Sequence, residues 1–439
     1  EPSIGLHPRD IGRVVGVLER LRDAGNTLLV VEHDPQFMFA ADRLLDMGPG
    51  PGRAGGQLVY EGPPAGVLRA PESLTAAYLR GERRIARQPR RVDLSAVRWL
   101  ELRGAREHNL RGIDVRIPLG HLVCVTGISG SGKSTLVGDV LHGALAQALG
   151  KTGVEAGAHE ALLGAEALEE VVLVDQAPIG KSARSNPVSY VGAWGPLREL
   201  FARTSVAKER GYTPGTFSFN SGDGRCPACT GSGFEHVEMQ FLSDVYLRCT
   251  ECDGRRFRAE VLEARLAGGE SIADVLELTV AEALARFAAE EKVCAALRPL
   301  RAVGLEYLAL GQPVPTLSGG EAQRLKLAGH LAEAASHRKR GKGTLFIFDE
   351  PTTGLHFEDI ARLLGAFDTL LAAGHTLLVI EHNLDVIAAA DWLLDLGPEG
   401  GEEGGLLLFA GTPEDIGDCE ASHTGRALLD YRRQQHALA

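Results

Sequence analysis

The chain has 439 residues, a net charge of −12 and a hydrophobic content of 44%, which predicts two or three domains with ample cores. The acidic balance argues against a uniformly basic nucleic-acid binder. No apolar run approaches the length of a membrane span, so we expect no association with a membrane.

The first residues of the chain recur in full near its end. The opening "EPSIGLHPRDIG" matches "EPTTGLHFEDIA" from Glu350, and "NTLLVVEHD" from Asn26 matches "HTLLVIEHN" from His375. The register holds without a gap up to "GGQLVYEGPP" and "GGLLLFAGTP". A repeat unit of this length is a domain rather than a solenoid turn. The sequence therefore predicts that residues 1–80 are the end of a first domain and that a complete second domain follows.

A basic segment separates the two copies of the repeat. Residues 81–95 include "GERRIARQPRR" and are predicted to be an interdomain linker. The stretch "VRWLELRGAREHNLRGIDVRIPL" then alternates apolar and polar residues, which predicts a small antiparallel β-subdomain.

The strongest single motif follows an apolar run, His121–Thr126, that is typical of a buried strand. "GISGSGKS" fits GxxxxGK[ST] and precedes a helical pattern. Glycines let backbone N–H groups wrap closely around a phosphate. Lys133 is predicted to reach the β- and γ-phosphates, and Ser134 to hold Mg²⁺. The predicted nucleotide-binding residues of this loop are Gly127, Ser129, Gly130, Ser131, Gly132, Lys133, Ser134 and Thr135.

Residues 177–299 are predicted to be an insertion that contains a metal site at about residues 213–258. Cys226, Cys229, Cys249 and Cys252 form a CxxC-x19-CxxC pattern. Two such pairs supply four thiolates to one tetrahedral Zn²⁺, and four cysteines leave no open position, so a structural zinc is expected. This cysteine usage favours metal binding in a reducing compartment, and we expect a cytoplasmic protein.

Basic and aromatic residues are interleaved ahead of the cysteines, which suits contact with a phosphate backbone. The alternative is a solvated charged face with no partner. The predicted DNA-contacting residues are Lys181, Arg184, Arg203, Lys208 and Arg210.

A second anion site is predicted in "LSGGEAQRLKLAGHL", where a serine and two glycines begin an amphipathic helix. The residues concerned are Ser318, Gly319 and Gly320.

Two carboxylates end the apolar run "TLFIFDEP". Asp349 suits a water-mediated Mg²⁺ contact, and Glu350 suits polarisation of an attacking water. His382, in "LLVIEHN", ends a further predicted strand and is placed to sense a γ-phosphate. Taken alone, a histidine at such a position is more often structural.

Together these motifs resemble the ATP-binding-cassette (ABC) ATPases. The resemblance implies that Gln176 is the Q-loop glutamine and that each ATP lies between the P-loop of one cassette and the signature of another. Ser318 would then serve a P-loop upstream, and Lys133 would need an upstream signature. Glu1 and His33 would be the catalytic glutamate and switch histidine of that first site.

The expected fold is therefore α/β: an ABC-type P-loop core with an antiparallel β-subdomain, an inserted zinc-binding module and a helical signature domain. The second cassette is expected at residues 96–176 and 300–425. A peripheral helical tail is expected at 426–439.

The zinc insertion between P-loop and signature narrows the resemblance to the UvrA family. "GAREHNL", "VDQAPIGKSARSNPVSY", "AKERGYTPGTFSFN", "MQFLSDVY" and "LGQPVPTLSGGEAQRLKLA" are all similar to UvrA segments. The resemblance implies an ATPase, without nuclease activity, that recognises damaged duplex DNA in nucleotide excision repair. It also implies the cofactors ATP, Mg²⁺ and Zn²⁺, a homodimer, and hand-off to UvrB through a region upstream of Glu1.

Two alternatives stay open. "GDGRCPAC" carries Asp223 where the family commonly has a second basic residue, which favours a divergent paralogue that gives tolerance to DNA-damaging drugs without UvrB-dependent incision. The weaker alternative is an ATPase subunit of a transporter, in which the zinc insertion would have no role.

Overall fold

A computed structural model describes residues 1–85, 87–175, 177, 179, 184–237, 245–336 and 342–437. The chain divides into two compact units. The first, here called the core unit, comprises residues 1–175 and 337–439, and the second, the insert unit, comprises residues 176–336. The domain bounds expected from the sequence remain predictions.

The strands of the described residues are, in chain order, β1 (Leu44–Gly48), β2 (Gln57–Gly62), β3 (Trp99–Ala105), β4 (Ile113–Pro118), β5 (Leu122–Gly127), β6 (Ala161–Leu163), β7 (Leu168–Val174), β8 (Phe234–Val237), β9 (Val245–Arg248), β10 (Gly343–Asp349), β11 (Thr376–Ile380), β12 (Trp392–Gly397) and β13 (Leu406–Gly411). The α-helices are α1 (Pro8–Asp23), α2 (Pro35–Ala40), α3 (Leu74–Leu79), α4 (Gly143–Ala148), α5 (Pro187–Tyr190), α6 (Trp194–Ala202), α7 (Ser205–Glu209), α8 (Ala259–Leu262), α9 (Ile272–Glu277), α10 (Val280–Arg286), α11 (Glu291–Ala302), α12 (Gly319–Ser336), α13 (Phe357–Ala372), α14 (Leu384–Ala389) and α15 (His423–Ala437). A π-helical segment, Thr135–His142, leads into α4.

A six-stranded sheet in the order β13-β12-β5-β11-β10-β7 forms the centre of the core unit. Its strand pairs are parallel except for β12 and β13. Strands β5 and β11 are buried along their whole length, and their near-continuous apolar sequences suit a sheet that is covered on both faces. The α/β core predicted from the sequence is confirmed.

A smaller three-stranded sheet has the order β4-β3-β6, with antiparallel pairs throughout. It is the antiparallel β-subdomain expected from the alternating sequence before the P-loop. Its buried residues, such as Leu100 and Val115, share one hydrophobic cluster with the central sheet.

The first copy of the repeat forms α1, α2 and a separate antiparallel pair of strands, β1 and β2. Residues 26–34 contain no strand, although their counterpart in the second copy is β11. The difference has a physical cause, because β11 lies between β5 and β10 and no strand pairs with residues 26–34 within the described ranges. Leu29 and Val31 are consequently 85% and 65% exposed.

The insert unit combines short helices with the antiparallel hairpin of β8 and β9. Capping boxes fix the starts of α9 and α10, at Ser271 with Asp274 and at Thr279 with Glu282. Among the helices that the structure describes, none combines the length and apolarity needed to cross a bilayer.

The helix α15 includes most of the predicted tail and begins ahead of it, at His423. That residues 426–439 are peripheral stays a prediction. Ser422 and Thr424, at the start of α15, are fully buried. Both hydroxyls donate to the carboxylate of Asp395 in β12. The sequence pattern missed this because the partner lies in a strand that the local pattern cannot identify.

The basic linker packs against the rest of the core unit through ion pairs. Arg83 contacts Glu358, and Arg87 lies between Asp368 and Asp391. The side chain of Arg87 is 4% exposed and that of Asp391 is fully buried. Removal of one partner from a buried ion pair leaves the other charge without compensation.

Arg87→Ala should therefore lower the free energy of unfolding by about 3–5 kcal/mol. The matched control is Arg13→Ala, because the Arg13 side chain is 73% exposed beside Asp10 and such a pair contributes about 0–1 kcal/mol. Urea unfolding followed by circular dichroism measures both variants. Equal losses in the two variants would contradict the structural role of the linker.

Candidate nucleotide and zinc sites

The P-loop begins where the buried strand β5 ends. Gly127, Gly130 and Gly132 have φ values of 127°, 78° and 103°, in the region that favours glycine. A Cβ at Gly127 would lie 2.1 Å from the carbonyl oxygen of Leu396. The residue types of this loop are therefore dictated by close backbone packing as well as by the ligand.

Lys133 is held inside the loop. Its Nζ donates to the carbonyl oxygens of Gly127 at 2.9 Å and of Ile128 at 2.8 Å. Burial lowers the pKa of Lys133 to about 8. The ammonium group thus lies inside the loop, where the phosphates of a nucleotide would bind.

The rest of the loop fits a phosphate and a magnesium ion. Ser131 Oγ is buried and has no hydrogen-bond partner among the described residues, and a buried hydroxyl of this kind suits a ligand contact. Ser134 is exposed and directly precedes the helical segment that starts at Thr135. The predicted loop residues that the structure brings together are Gly127, Ser129, Gly130, Ser131, Gly132, Lys133, Ser134 and Thr135.

A second glycine-rich loop, residues 397–405, contacts the P-loop both directly and through Asn109, and sequence reasoning missed this contact. Asn109 Nδ2 donates to the carbonyl oxygens of Gly130 at 3.0 Å and Gly401 at 3.1 Å. The backbone N–H of Gly401 also donates to Gly130 O at 3.0 Å. The clustered glycines after β12, which both copies of the repeat contain, were the signal available in the sequence.

Asp349 is the last residue of β10 and Glu350 directly follows it, so the two carboxylates end the strand as predicted. Glu350 has a φ of 44°, an uncommon conformation for a residue other than glycine, and such strain persists mainly at functional positions. Burial, with the charges of Glu381 and Asp349, raises the pKa of Glu350 to about 7. Burial also raises the pKa of Asp349.

His382 lies beside Glu350, with Nε2 3.7 Å from Oε1. Burial lowers the pKa of His382 to about 2, so the ring is neutral at physiological pH. Its Nδ1 is buried without a hydrogen-bond partner among the described residues. The pair can thus present a general base and a neutral imidazole to the same bound group.

Glu381 organises this region, and sequence reasoning overlooked it. Its carboxylate accepts from Thr352 N at 2.9 Å, His382 N at 2.9 Å and Asn383 N at 3.0 Å. Burial raises the pKa of Glu381. The equivalent residue of the first copy, Glu32, accepts from Ser3 N at 2.6 Å in the same way.

Glu1 and His33, predicted for the first site, face the second copy of the repeat. A Cβ at Gly354 would lie 3.0 Å from Glu1 Oε2, and one at Gly5 would lie 3.4 Å from Glu350 Oε1. Each predicted catalytic glutamate therefore packs against a glycine of the other copy.

In the insert unit, the signature serine caps the helix α12. Ser318 Oγ accepts from Glu321 N at 3.3 Å, and Glu321 Oε2 accepts from Ser318 N at 2.8 Å, which is a reciprocal capping box. Gly319 and Gly320 form the first turn of α12. The predicted Q-loop residue, Gln176, lies outside the described residues.

The four predicted zinc ligands converge. The Sγ atoms of Cys226, Cys229, Cys249 and Cys252 all lie within 4.8 Å of one another, and those of Cys229 and Cys252 are 3.7 Å apart. A tetrahedral site with Zn–S bonds of about 2.3 Å has sulfur–sulfur edges of about 3.8 Å. The donor set and its dimensions therefore fit a closed structural Zn²⁺ site.

Arg256, which follows the second cysteine pair, joins the zinc module to the segment before the signature. Its side chain is buried between the rings of Phe219 and Phe234, and Nη2 donates to the carbonyl oxygen of Gly311 at 2.8 Å. Its own carbonyl oxygen accepts from Cys226 N at 2.9 Å. Nothing in the local sequence distinguished this arginine from its basic neighbours.

The predicted DNA-contacting residues have mixed environments. Arg184 donates to Thr230 Oγ1 beside the first cysteine pair, Arg210 pairs with Glu263, and the Arg203 side chain is 69% exposed. Lys208 is exposed, and Lys181 lies outside the described residues.

Comparisons with known proteins agree with this geometry. A family model described as ABC transporter matches residues 110–353. UvrABC system protein A of Thermus thermophilus is 54% identical over 428 residues, which is 98% of this chain and 44% of the relative. The protein of the same name from Escherichia coli K12 is 50% identical over 430 residues, which is 98% of this chain and 45% of the relative.

A solved structure, UvrA2 from Deinococcus radiodurans, has a TM-score of 0.89 and 46% identity, and the match covers 98% of this chain and 51% of that chain. The chain spans about half the length of the curated relatives it matches. The paralogue alternative gains no support, because the identity to proteins named UvrABC system protein A exceeds that to UvrA2. The chain belongs to the ABC family of P-loop ATPases, and within that family it is UvrA-like.

Proposed function

We propose that the chain acts in ATP-dependent recognition of damaged DNA during nucleotide excision repair. The observation that carries the proposal is the conjunction, in a UvrA-like chain, of a complete P-loop and carboxylate site with a Cys₄ module joined to the signature segment. A transporter subunit, by contrast, offers no role for the Cys₄ module.

Nucleotide binding rests on the P-loop. The backbone N–H groups of the loop and Lys133 bind the phosphates, and the start of the following helix adds partial positive charge. Ser134 and Asp349 would hold Mg²⁺, the latter through water. When bound, the metal neutralises charge on the β- and γ-phosphate oxygens.

Glu350 acts as the general base. The raised pKa of Glu350 lies close to the operating pH. At such a pKa, a base is deprotonated in a large fraction of molecules and still accepts a proton readily. Glu350 Oε takes a proton from the attacking water while neutral His382 donates a hydrogen bond to the γ-phosphate. Glu381 holds the backbone of this region in place through its hydrogen bonds.

We infer that each hydrolysis site is composite. Ser318 completes a site whose P-loop belongs to another cassette, and Lys133 receives a signature from another cassette in the same way. Glu1 and His33 supply the base and the switch histidine of the first site. Gln176 would be the Q-loop glutamine and would contribute to the nucleotide site.

The insert unit provides the DNA contacts. Lys181, Arg184, Arg203, Lys208 and Arg210 neutralise phosphates, which positions the protein without reading base identity. Damaged bases share no common hydrogen-bond pattern, so recognition relies on the shape and deformability of the duplex. Zinc, held by the four cysteines, maintains the fold of this unit.

The further partners follow from the relatives. We propose that the protein works as a homodimer in the cytoplasm, that it binds damaged double-stranded DNA, and that it passes lesions to UvrB. These statements concern the assembled protein, of which this chain supplies the second P-loop, the second signature and the zinc module.

Glu350→Gln should reduce ATP turnover by roughly 10²–10⁴-fold with little change in MgATP affinity, because the base is lost and the phosphate contacts remain. With Glu350 intact, turnover should rise as the pH increases through about 7, since the raised pKa keeps the base protonated below that value. Steady-state hydrolysis in the presence of damaged duplex measures both effects.

The control is Glu19→Gln, an exposed change on α1, which should leave the pH profile unaltered. A Glu350→Gln protein that retained turnover with the same pH profile would remove Glu350 from the role of base.

Cys249→Ser should abolish zinc binding, from one ion per chain to near zero, because a Cys₄ site loses a thiolate ligand. The apparent zinc-binding energy of such sites, about 10–16 kcal/mol, should be lost from the stability of the insert unit. Metal analysis and thermal unfolding measure the two effects. Cys419→Ser, outside the cluster, should keep the ion; metal-free wild-type protein would contradict the assignment.

Arg203→Ala combined with Lys208→Ala should weaken binding to damaged duplex and flatten its dependence on salt. Each lost phosphate contact removes about 0.9 from the slope of log affinity against log salt concentration. Fluorescence anisotropy across a salt series gives the slopes. The control, Arg433→Ala, removes a 76% exposed charge from α15 and should not change the slope; an unchanged slope in the double variant would exclude these two contacts.

A further inference from the structure

The first copy of the repeat contains a buried histidine whose proton position is fixed by its neighbours. His7 is 1% exposed and is the N-cap of α1, where its Nδ1 accepts from Arg9 N at 3.2 Å. Because Nδ1 is an acceptor, the neutral ring carries its proton on Nε2. That Nε2 lies 3.2 Å from Thr424 Oγ1 and therefore donates to it.

The hydrogen-bond chain continues to the strand that precedes the P-loop. Thr424 Oγ1 donates to Asp395 Oδ1 at 2.8 Å, and Thr126 Oγ1 donates to the same oxygen at 2.7 Å. Ser422 donates to the other carboxylate oxygen at 2.6 Å. Thr126 directly precedes Gly127, so Thr424 and Asp395 connect His7 to the residue before the phosphate loop.

The same arrangement occurs a second time, with the histidine in the second copy and its partners in the first. His356 is the N-cap of α13, and its Nδ1 accepts from Glu358 N at 3.3 Å. Its Nε2 lies 3.1 Å from Thr75 Oγ1, which donates to Asp46 Oδ1 at 3.0 Å. Ser73 donates to the other oxygen of Asp46 at 2.6 Å. The same four residue types thus occur at equivalent positions, with the two copies exchanged.

Each of these histidines also touches the predicted switch histidine of the other copy. The rings of His7 and His382 pack edge to face, with their centroids 6.0 Å apart, and those of His33 and His356 do so with centroids 6.3 Å apart. The carbonyl oxygen of Gly5, two residues before His7, accepts from the P-loop hydroxyl of Ser129 at 2.8 Å.

We propose that His7 and His356 are positioning residues that connect the two nucleotide sites through reciprocal His–Thr–Asp hydrogen-bond chains. His7 holds His382 and the strand that leads into the P-loop of the second site, and His356 holds His33 and Asp46 of the first copy. Through these chains each copy of the repeat fixes the geometry of the other. The inference rests on the proposed function, because it assumes that the P-loop binds nucleotide.

Two amide substitutions separate this role from simple helix capping. Asn is a good N-cap and keeps the Nδ1 contact, but its side chain is too short to reach Thr424. Gln places an N–H donor near the position of Nε2 and loses the cap. His7→Asn therefore tests the hydrogen-bond chain, and His7→Gln tests the cap.

The experiment measures MgATP affinity of the chain by isothermal titration calorimetry. His7→Asn and Thr424→Val should each weaken binding by about three- to tenfold, the effect of one lost hydrogen bond. His7→Gln and Thr424→Ser should stay within about twofold of the original affinity, since both keep the donor. Nitrogen NMR of the histidine rings should show His7 neutral with its proton on Nε2, and Thr424→Val should shift that signal.

The outcomes distinguish the two proposals. Unchanged affinity in His7→Asn and Thr424→Val, in a chain that binds MgATP, overturns the hydrogen-bond chain alone. If all four variants lose MgATP affinity in proportion to the decrease in their thermal midpoints, the residues have a purely structural role. That result would also overturn the hydrogen-bond chain. Failure of the unsubstituted chain to bind MgATP overturns the proposed function, and the connection between sites with it.

Discussion

The reciprocal packing of two glycine-containing turns is the contact on which the core unit depends. Gly5 lies against the carboxylate of Glu350, and Gly354 lies against that of Glu1. Both glycines have positive φ values, 68° and 67°, and any side chain would approach the carboxylate that is proposed to activate water. Each turn also leads into a helix whose N-cap histidine contacts a histidine of the other copy. The two copies therefore depend on each other for their geometry.

The insert unit shows a second kind of dependence, between metal binding and the signature helix. The buried cysteines of the zinc module form a cluster of their own. Arg256 extends from that cluster to Gly311, close in sequence to Ser318. A contact of this kind gives a physical route by which a change at the zinc module, which we propose lies close to DNA, alters the start of the signature helix.

Local motifs made the chemistry of the sites predictable. The P-loop and the Asp349–Glu350 pair each lie within a few residues of sequence, and the four cysteines lie within one short segment, 226–252. The structure brings the four cysteines together. Asn109, Asp395 and the buried Arg87 could not be identified in this way, because each has a partner that lies hundreds of residues away in the chain. The exposure of residues 26–34, in contrast to β11, likewise depends on neighbouring strands rather than on the shared sequence.

We infer that nucleotide at the Lys133 loop affects the first copy of the repeat, because the P-loop hydroxyl of Ser129 donates to the carbonyl oxygen of Gly5. Hydrogen exchange of the intact chain, with and without MgATP, tests this inference directly through the backbone amides of Ser3–His7. We expect slower exchange there on MgATP addition, and no change in Lys133→Met, which lacks the phosphate contact. Protection confined to the P-loop itself, with residues 3–7 unchanged, would contradict it.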